Sequence, residues 1–162
     1  MVGVEAEPRR GYEELFRESG ATLIRAVYAY TGGRREIAEE AVAEAFARAI
    51  AYDGTIRNRL AWIYRTAFRI AAEESKRERR TPPPELPGPA PDGSEGLRNL
   101  VEALRALPAN QRAAIVLHYE ADLPVGQIAE LMGMTAATVK VHLHRGRKKL
   151  RALLGDEEVD DD

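Results

Sequence analysis

The chain has 162 residues, with 24 lysines and arginines against 26 aspartates and glutamates, a formal net charge of -2 and no cysteine. Without cysteine, disulfides, thiolate catalysis and cysteine-held zinc are excluded together. The near-neutral balance does not exclude a nucleic-acid partner: basic runs at Lys76–Arg80 and Lys140–Arg151 are offset by an acidic end, and local fields govern binding. Alanine, leucine, glutamate and arginine dominate while β-branched and aromatic residues are sparse, so an all-α fold is expected, as one domain or two small ones. The start, MVGVEAEP, has no basic-then-apolar signal pattern, and the longest strongly apolar run, Ala113–Leu117, is far too short to span a bilayer. A soluble, cytoplasmic protein without membrane contact is expected.

Tyr12, Leu15, Phe16, Leu23, Ile24, Val27 and Tyr30 keep helical spacing, with Ser19-Gly20 allowing a bend and Thr31-Gly32-Gly33 ending the helix. A second helix is predicted over Arg35–Ala51, with Ile37, Ala41, Val42, Ala45, Phe46, Ala49 and Ile50 inward. Its outer face carries Glu36, Glu39, Glu40 and Glu44, which read either as a solvated face or as a docking ridge for a basic partner. Tyr52-Asp53-Gly54-Thr55 is a turn. The third helix, Leu60 to about Arg79, buries Leu60, Ile63, Tyr64, Ala67, Ile70 and Ala71, and leaves Trp62, Arg65, Arg69 and Lys76 on one stripe. The tryptophan could cap the hydrophobic layer. Alternatively, an aromatic plane beside cations suits opened DNA, since bases stack on the ring while cations hold phosphates.

Thr81–Gly96 reads TPPPELPGPAPDGSEG and holds six of the nine prolines, so no helix crosses it and it reads as a linker. At ~3.1 Å per residue in polyproline form it reaches roughly 50 Å, about one and a half turns of duplex DNA. Leu97, Leu100, Val101, Leu104 and Leu107 then form an amphipathic helix that Pro108 interrupts, and a further helix near Asn110–Tyr119 brings Ala113, Val116 and Leu117 to the core. From Leu123 to Leu154 two helices break at Gly133-Met134, the second opening at the N-cap Thr135: a helix-turn-helix. In the second helix Val139, Leu143, Gly146, Leu150 and Leu153 or Leu154 face inward. Lys140, His144, Arg147, Lys148 and Arg151 are expected on the opposite face, and Thr135–Leu154 contains no acid. Small residues at Ala136 and Ala137, with Thr138, leave the leading turn free to approach base edges in a major groove, while the cations behind it meet phosphates. The plainer reading is a solvated basic face on a helical hairpin. The terminal DEEVDDD reads as a disordered acidic tail over 156–162.

Enzymatic chemistry has little to stand on. The only serines, Ser19, Ser75 and Ser94, have no neighbouring histidine, and no phosphate-binding glycine loop is present. His142 and His144 stand two apart on a helix and diverge, a poor metal pair, so no catalytic residue, cofactor or metal site is expected.

The segments AEEAVAEAFARAI (Ala38–Ile50), LAWIYRTAFRIAAEESKR (Leu60–Arg77) and LRALPANQRAAIVLHYEADLPVGQIAELMGMTAATVKVHLHRGRKKLR (Leu104–Arg151) come in an order and spacing that resembles a bacterial RNA polymerase sigma factor of the extracytoplasmic-function (ECF) type, in the sigma-70 superfamily. The resemblance implies a region 2-like helical bundle over 9–80, a linker over 81–96, and a region 4-like four-helix domain with the helix-turn-helix over 97–155. It further implies that the chain binds core RNA polymerase and directs promoter recognition, melting and initiation. Glu39, Glu40 and Glu44 match the polymerase-docking helix. The Tyr52–Arg59 loop matches the segment that captures a flipped base of the -10 element, which places Tyr52, Asp53, Asn58 and Arg59 beside Trp62, Arg65, Arg69 and Lys76 as -10 contacts. Ala136, Ala137, Thr138, Lys140, His144, Arg147, Lys148 and Arg151 match the -35 reader. The chain departs from the family pattern at Glu40, Ala41, Ala43, Arg69, Glu73, Val141 and His142. Core polymerase and promoter DNA are the implied partners, and an anti-sigma factor stays open as a third. The alternative is a stand-alone dimeric helix-turn-helix regulator, which would want a palindromic site and a dimer interface.

Overall fold

A computed structural model describes residues 3–52, 54, 56–78 and 95–155. Among these residues are seven helices and no strand: α1 (Gly3–Tyr30), α2 (Arg35–Tyr52), α3 (Arg59–Arg77), α4 (Glu95–Arg105), α5 (Ala109–Tyr119), α6 (Val125–Met132) and α7 (Ala136–Leu154). The all-α expectation holds, and the helix starts shift by a few residues, most of all for α1, which begins before Tyr12. The linker residues 81–94, the acidic tail 156–162 and Asp53 lie outside the described residues; Glu95 and Gly96, read from sequence as the end of the linker, are the first residues of α4.

The helix ends follow from local chemistry. Thr31 closes α1: its hydroxyl donates to the Tyr28 carbonyl (2.9 Å) and accepts the Arg34 amide (3.2 Å), joining the end of α1 to the start of α2. Gly33, at φ +93, returns its amide to the Tyr28 carbonyl (2.9 Å), a left-handed closure that glycine adopts without strain. Asn58 caps α3 by accepting the Ala61 amide at 3.0 Å, while Lys76 and Arg77 in the last turn suit the negative end of the helix dipole.

In the first module α1, α2 and α3 close over Leu23, Val27, Ala41, Val42, Ala45, Ile63 and Ala67, all buried. Full burial of a side chain such as Ile63 contributes about 2 kcal/mol. Thr66 is buried among them, an alcohol that apolar spacing does not reveal. Phe16 has the spacing of a core residue yet is 46 % exposed; its ring lies back along α1 over Gly20 and meets Phe46 edge-on, with centroids 5.1 Å apart.

In the second module α5 packs on α7 and α6, with Ala114, Ile115, Val116 and Leu117 buried, and it also meets α1 of the first module. The two modules are in contact. Their buried side chains form one connected cluster that runs from α1 through Leu104, Leu107 and Val116 to Leu143 and Leu150. Across the seam, Arg112 of α5 donates to the Tyr30 carbonyl (2.8 Å), with its guanidinium over the Tyr30 ring, while within its own module it donates to the Leu107 carbonyl (2.9 Å). Burial lowers the Arg112 pKa, opposed by the Tyr30 hydroxyl, and burial likewise raises the Tyr30 pKa, opposed by Arg112.

Candidate nucleic-acid interface

The helix-turn-helix is built from two caps. Gly133 ends α6 in the left-handed conformation (φ +64), which turns the chain sharply, and Met134 returns its amide to the Ala129 carbonyl at 3.0 Å. Thr135 then opens α7: its hydroxyl accepts the Thr138 amide at 3.1 Å, and the two hydroxyls lie 2.9 Å apart. The cap is measurable. Thr135→Ala is expected to cost about 1 kcal/mol in a denaturant titration, whereas Thr135→Ser should cost less than half of that.

Val139, Leu143, Gly146 and Leu150 bury one side of α7, and the leading turn, Ala136, Ala137 and Thr138, is exposed. Lys140, His144 and Lys148 are exposed behind it. Arg147 and Arg151 lie on the flank of the helix, half-buried rather than opposite the core, and the Arg147 guanidinium sits 5.7 Å from the centre of the Tyr119 ring of α5. Arg145 and Lys149 are exposed, and the sequence reading left both out. Turning the helix by about 100° per residue from the buried seam finds them. The outer surface of α7 is therefore basic through Lys140, His144, Arg145, Lys148 and Lys149.

The second candidate surface lies where α3 begins. Tyr52 is exposed and tilts towards Trp62, ring centroids 6.2 Å apart, and Trp62 is half-buried. Together with Ile56, Arg57 and Ala61 they line an open groove of about 510 Å³. An exposed aromatic face beside cations offers a base a surface to stack on and its phosphates a counter-charge. Arg57, within the loop singled out from sequence but not itself named there, is one of those cations. Asn58 also lines the groove, but its side-chain oxygen is committed to the α3 cap. Arg59 stacks on Tyr12, 4.7 Å from the ring centre, and so ties α3 to α1. Arg65 is exposed yet donates to the Glu130 carbonyl of α6 at 3.1 Å. Arg69 and Lys76 are exposed further along the same helix. The structure thus brings Tyr52, Asn58, Trp62 and Arg65 into one groove and keeps Arg59 apart from it.

A third surface is the outer face of α2, where Glu36, Glu39, Glu40 and Glu44 are exposed, with Glu44 paired to Arg48 at 2.9 Å. Such a surface pair contributes little, and the ridge stays acidic. Among the described residues no cluster of histidine and carboxylate side chains could hold a metal ion, and no helix is long and apolar enough to cross a membrane.

Among the described residues, seven helices that include a helix-turn-helix with a bare leading turn and a basic outer face on its second helix have the form of a DNA-binding module. Residues 97–150 match the family model described as "Sigma-70, region 4". The chain is 28% identical over 158 residues to the ECF RNA polymerase sigma factor SigM of Mycobacterium tuberculosis, covering 93% of this chain and 80% of that one. Over nearly its whole length the chain is thus similar to an ECF-type RNA polymerase sigma factor, and its second half to region 4 of the sigma-70 superfamily. Over 73 residues it is 36% identical to the RNA polymerase sigma factor CarQ of Myxococcus xanthus, spanning 44% of this chain and 42% of that relative. The fold superposes with a TM-score of 0.72 on the sigma factor RpoE from Bartonella quintana, solved in complex with the anti-sigma factor NepR, at 24% identity and covering 90% of this chain and 99% of that one.

Proposed function

We propose that this chain binds core RNA polymerase and directs it to promoters, where it recognises the two promoter elements, supports melting and starts transcription. The observation that carries this reading is the recognition helix, with Ala136–Thr138 bare and Lys140, His144 and Lys148 outward, at the end of a chain that aligns with a sigma factor over nearly its whole length. The region 2-like module over 9–80 docks on polymerase through Glu39, Glu40 and Glu44. It holds the opened -10 strand on Tyr52, Asp53, Arg57, Asn58, Trp62, Arg65, Arg69 and Lys76, while Arg59, stacked on Tyr12, braces the start of α3 from outside the groove. Unstacking a base costs a few kcal/mol, and stacking on Tyr52 and Trp62 with phosphate contacts from the arginines offsets it. The region 4-like module over 97–155 reads the -35 element as duplex through Ala136, Ala137 and Thr138, with Lys140, His144, Arg147, Lys148 and Arg151 near the backbone.

RNA synthesis is the polymerase's chemistry, and this chain contributes no catalytic group to it. Such work belongs in the cytoplasm, with core polymerase and promoter DNA as partners and an anti-sigma factor as the partner that regulates them. Reconstitution tests the reading: core polymerase plus this chain should start transcripts at discrete positions on a genomic fragment pool, where core alone does not. A chain that binds duplex DNA as a dimer but leaves core polymerase unredirected is a stand-alone regulator instead.

A further inference from the structure

The groove at the start of α3 has one ring that the helices fix and one that they do not. Trp62 stands in the first turn of α3, where its amide bonds to the Asn58 carbonyl at 3.0 Å and the Asn58 cap sets the helix start. Tyr52, the last residue of α2, is 62 % exposed. A side chain so exposed samples several staggered conformations unless something selects one. The selection comes from two residues further on. The Tyr52 ring lies over Gly54: a Cβ added there would overlap Cε1 of the ring and stand 2.6 Å from Cδ1 and 3.2 Å from Cζ. Gly54 is not among the glycines with positive φ, so the turn itself does not demand glycine. What the position requires is the missing side chain.

Seated on Gly54, the Tyr52 ring tilts by 40° to Trp62 with centroids 6.2 Å apart. Trp62 is half-buried and offers only part of its face, so Tyr52 supplies much of the aromatic surface in a groove that Arg57 also lines. A ring already in place receives a base without the cost of ordering a free side chain, which is the general gain from preorganisation. Gly54 has no side chain of its own to offer a base. Its part is played through Tyr52.

We propose that Gly54 is a positioning residue for the opened strand: by leaving room for the Tyr52 ring it holds that ring beside Trp62 and presets the surface on which a base stacks. This rests on the opened-strand reading of the groove, while the seat itself is a property of the chain alone. Gly54→Ala sets its methyl against an exposed side chain and not against backbone, so the ring swings out into solvent and the fold is kept. Only the stacking surface is undone. Stacking on one aromatic ring is then lost, and opened-strand affinity falls by about tenfold.

The test uses the whole chain as parent, Gly54→Ala, Tyr52→Ala and the double variant, with helicity and melting midpoint checked for each. Trp62 is the only tryptophan, so quenching of its fluorescence by acrylamide reports how far it is covered. Gly54→Ala should uncover Trp62 as far as Tyr52→Ala does, with helicity and midpoint unchanged. Each variant is then joined to core polymerase and titrated with a promoter fragment from a mapped start site, its -10 strand left unpaired, and with the upstream duplex alone. We expect Gly54→Ala to weaken the unpaired fragment about tenfold and to leave the upstream duplex within about twofold. In the Tyr52→Ala background, adding Gly54→Ala should change neither quenching nor affinity. Trp62 quenching equal to the parent's in Gly54→Ala overturns the seat, and a further loss in the double variant overturns its action through Tyr52. If Tyr52→Ala loses affinity while Gly54→Ala does not, the positioning role alone falls. If Tyr52→Ala binds the unpaired fragment as the parent does, the opened-strand reading of the groove fails and takes the proposal with it.

Discussion

Replacing Lys140 and Lys148 together with alanine is expected to weaken duplex binding by about a hundredfold and to flatten its salt dependence. Both lysines are exposed on α7, behind the bare turn Ala136–Thr138. A hydrogen bond to a charged group contributes about 1.5 kcal/mol, so losing two phosphate contacts costs about 3 kcal/mol, a factor on the order of a hundred. Each contact also releases about 0.9 of a counterion, so the slope of log affinity against log salt should fall by about 1.8. Arg147→Ala serves as the contrast. Its guanidinium packs over the Tyr119 ring, so its loss should lower thermal stability and change the salt slope by less than one contact's worth. Titrations at several salt concentrations decide it, and an unchanged slope in the double lysine variant would mean that this face does not meet DNA.

The contrast between Lys148 and Arg147 also marks how far the sequence could be read. The buried seam of α7 was visible in the spacing of Val139, Leu143, Gly146 and Leu150, and with it the turn at Gly133 and the cap at Thr135. The sign of the outer face was visible too. Which cations stand at its centre was not, because one step along a helix turns a side chain by about 100°, and runs of adjacent lysines and arginines blur flank and crest. Phe16 misled for a related reason: it keeps core spacing, but the gap left by Gly20 lets its ring lie along α1 instead of entering the core. The packing of the two modules left no periodic trace at all. It depends on Arg105, Arg112 and Arg65 finding backbone carbonyls, and a carbonyl acceptor is present at every residue, so no residue pattern announces the partner. Docking, opened-strand and duplex surfaces could be named by resemblance; that α6 rests beside the opened-strand surface required the three-dimensional arrangement.

Gly146→Leu is expected to destabilise the chain by about 3 kcal/mol, and Gly146→Ala to change it little. The glycine lies mid-helix in α7, where it costs about 1 kcal/mol in propensity relative to alanine, so packing must justify it. A Cβ at this position would stand 2.9 Å from Ile115 Cγ1 and 3.4 Å from Leu107 Cδ2. For alanine, the gain of about 1 kcal/mol in helix propensity opposes the displacement of Ile115, a buried β-branched side chain whose Cγ1 must give way, so the net change stays well below that of leucine. Leucine has no such escape: its branches must enter space that Ile115 and Leu107 fill, pushing the recognition helix off α5. For a chain of this size, 3 kcal/mol lowers the melting midpoint by roughly 10 °C. If propensity governed this site, leucine and alanine would both stabilise, since both are better helix formers than glycine. Only close approach of α7 to α5 makes the two substitutions diverge, and thermal melts of the pair side by side separate the two accounts.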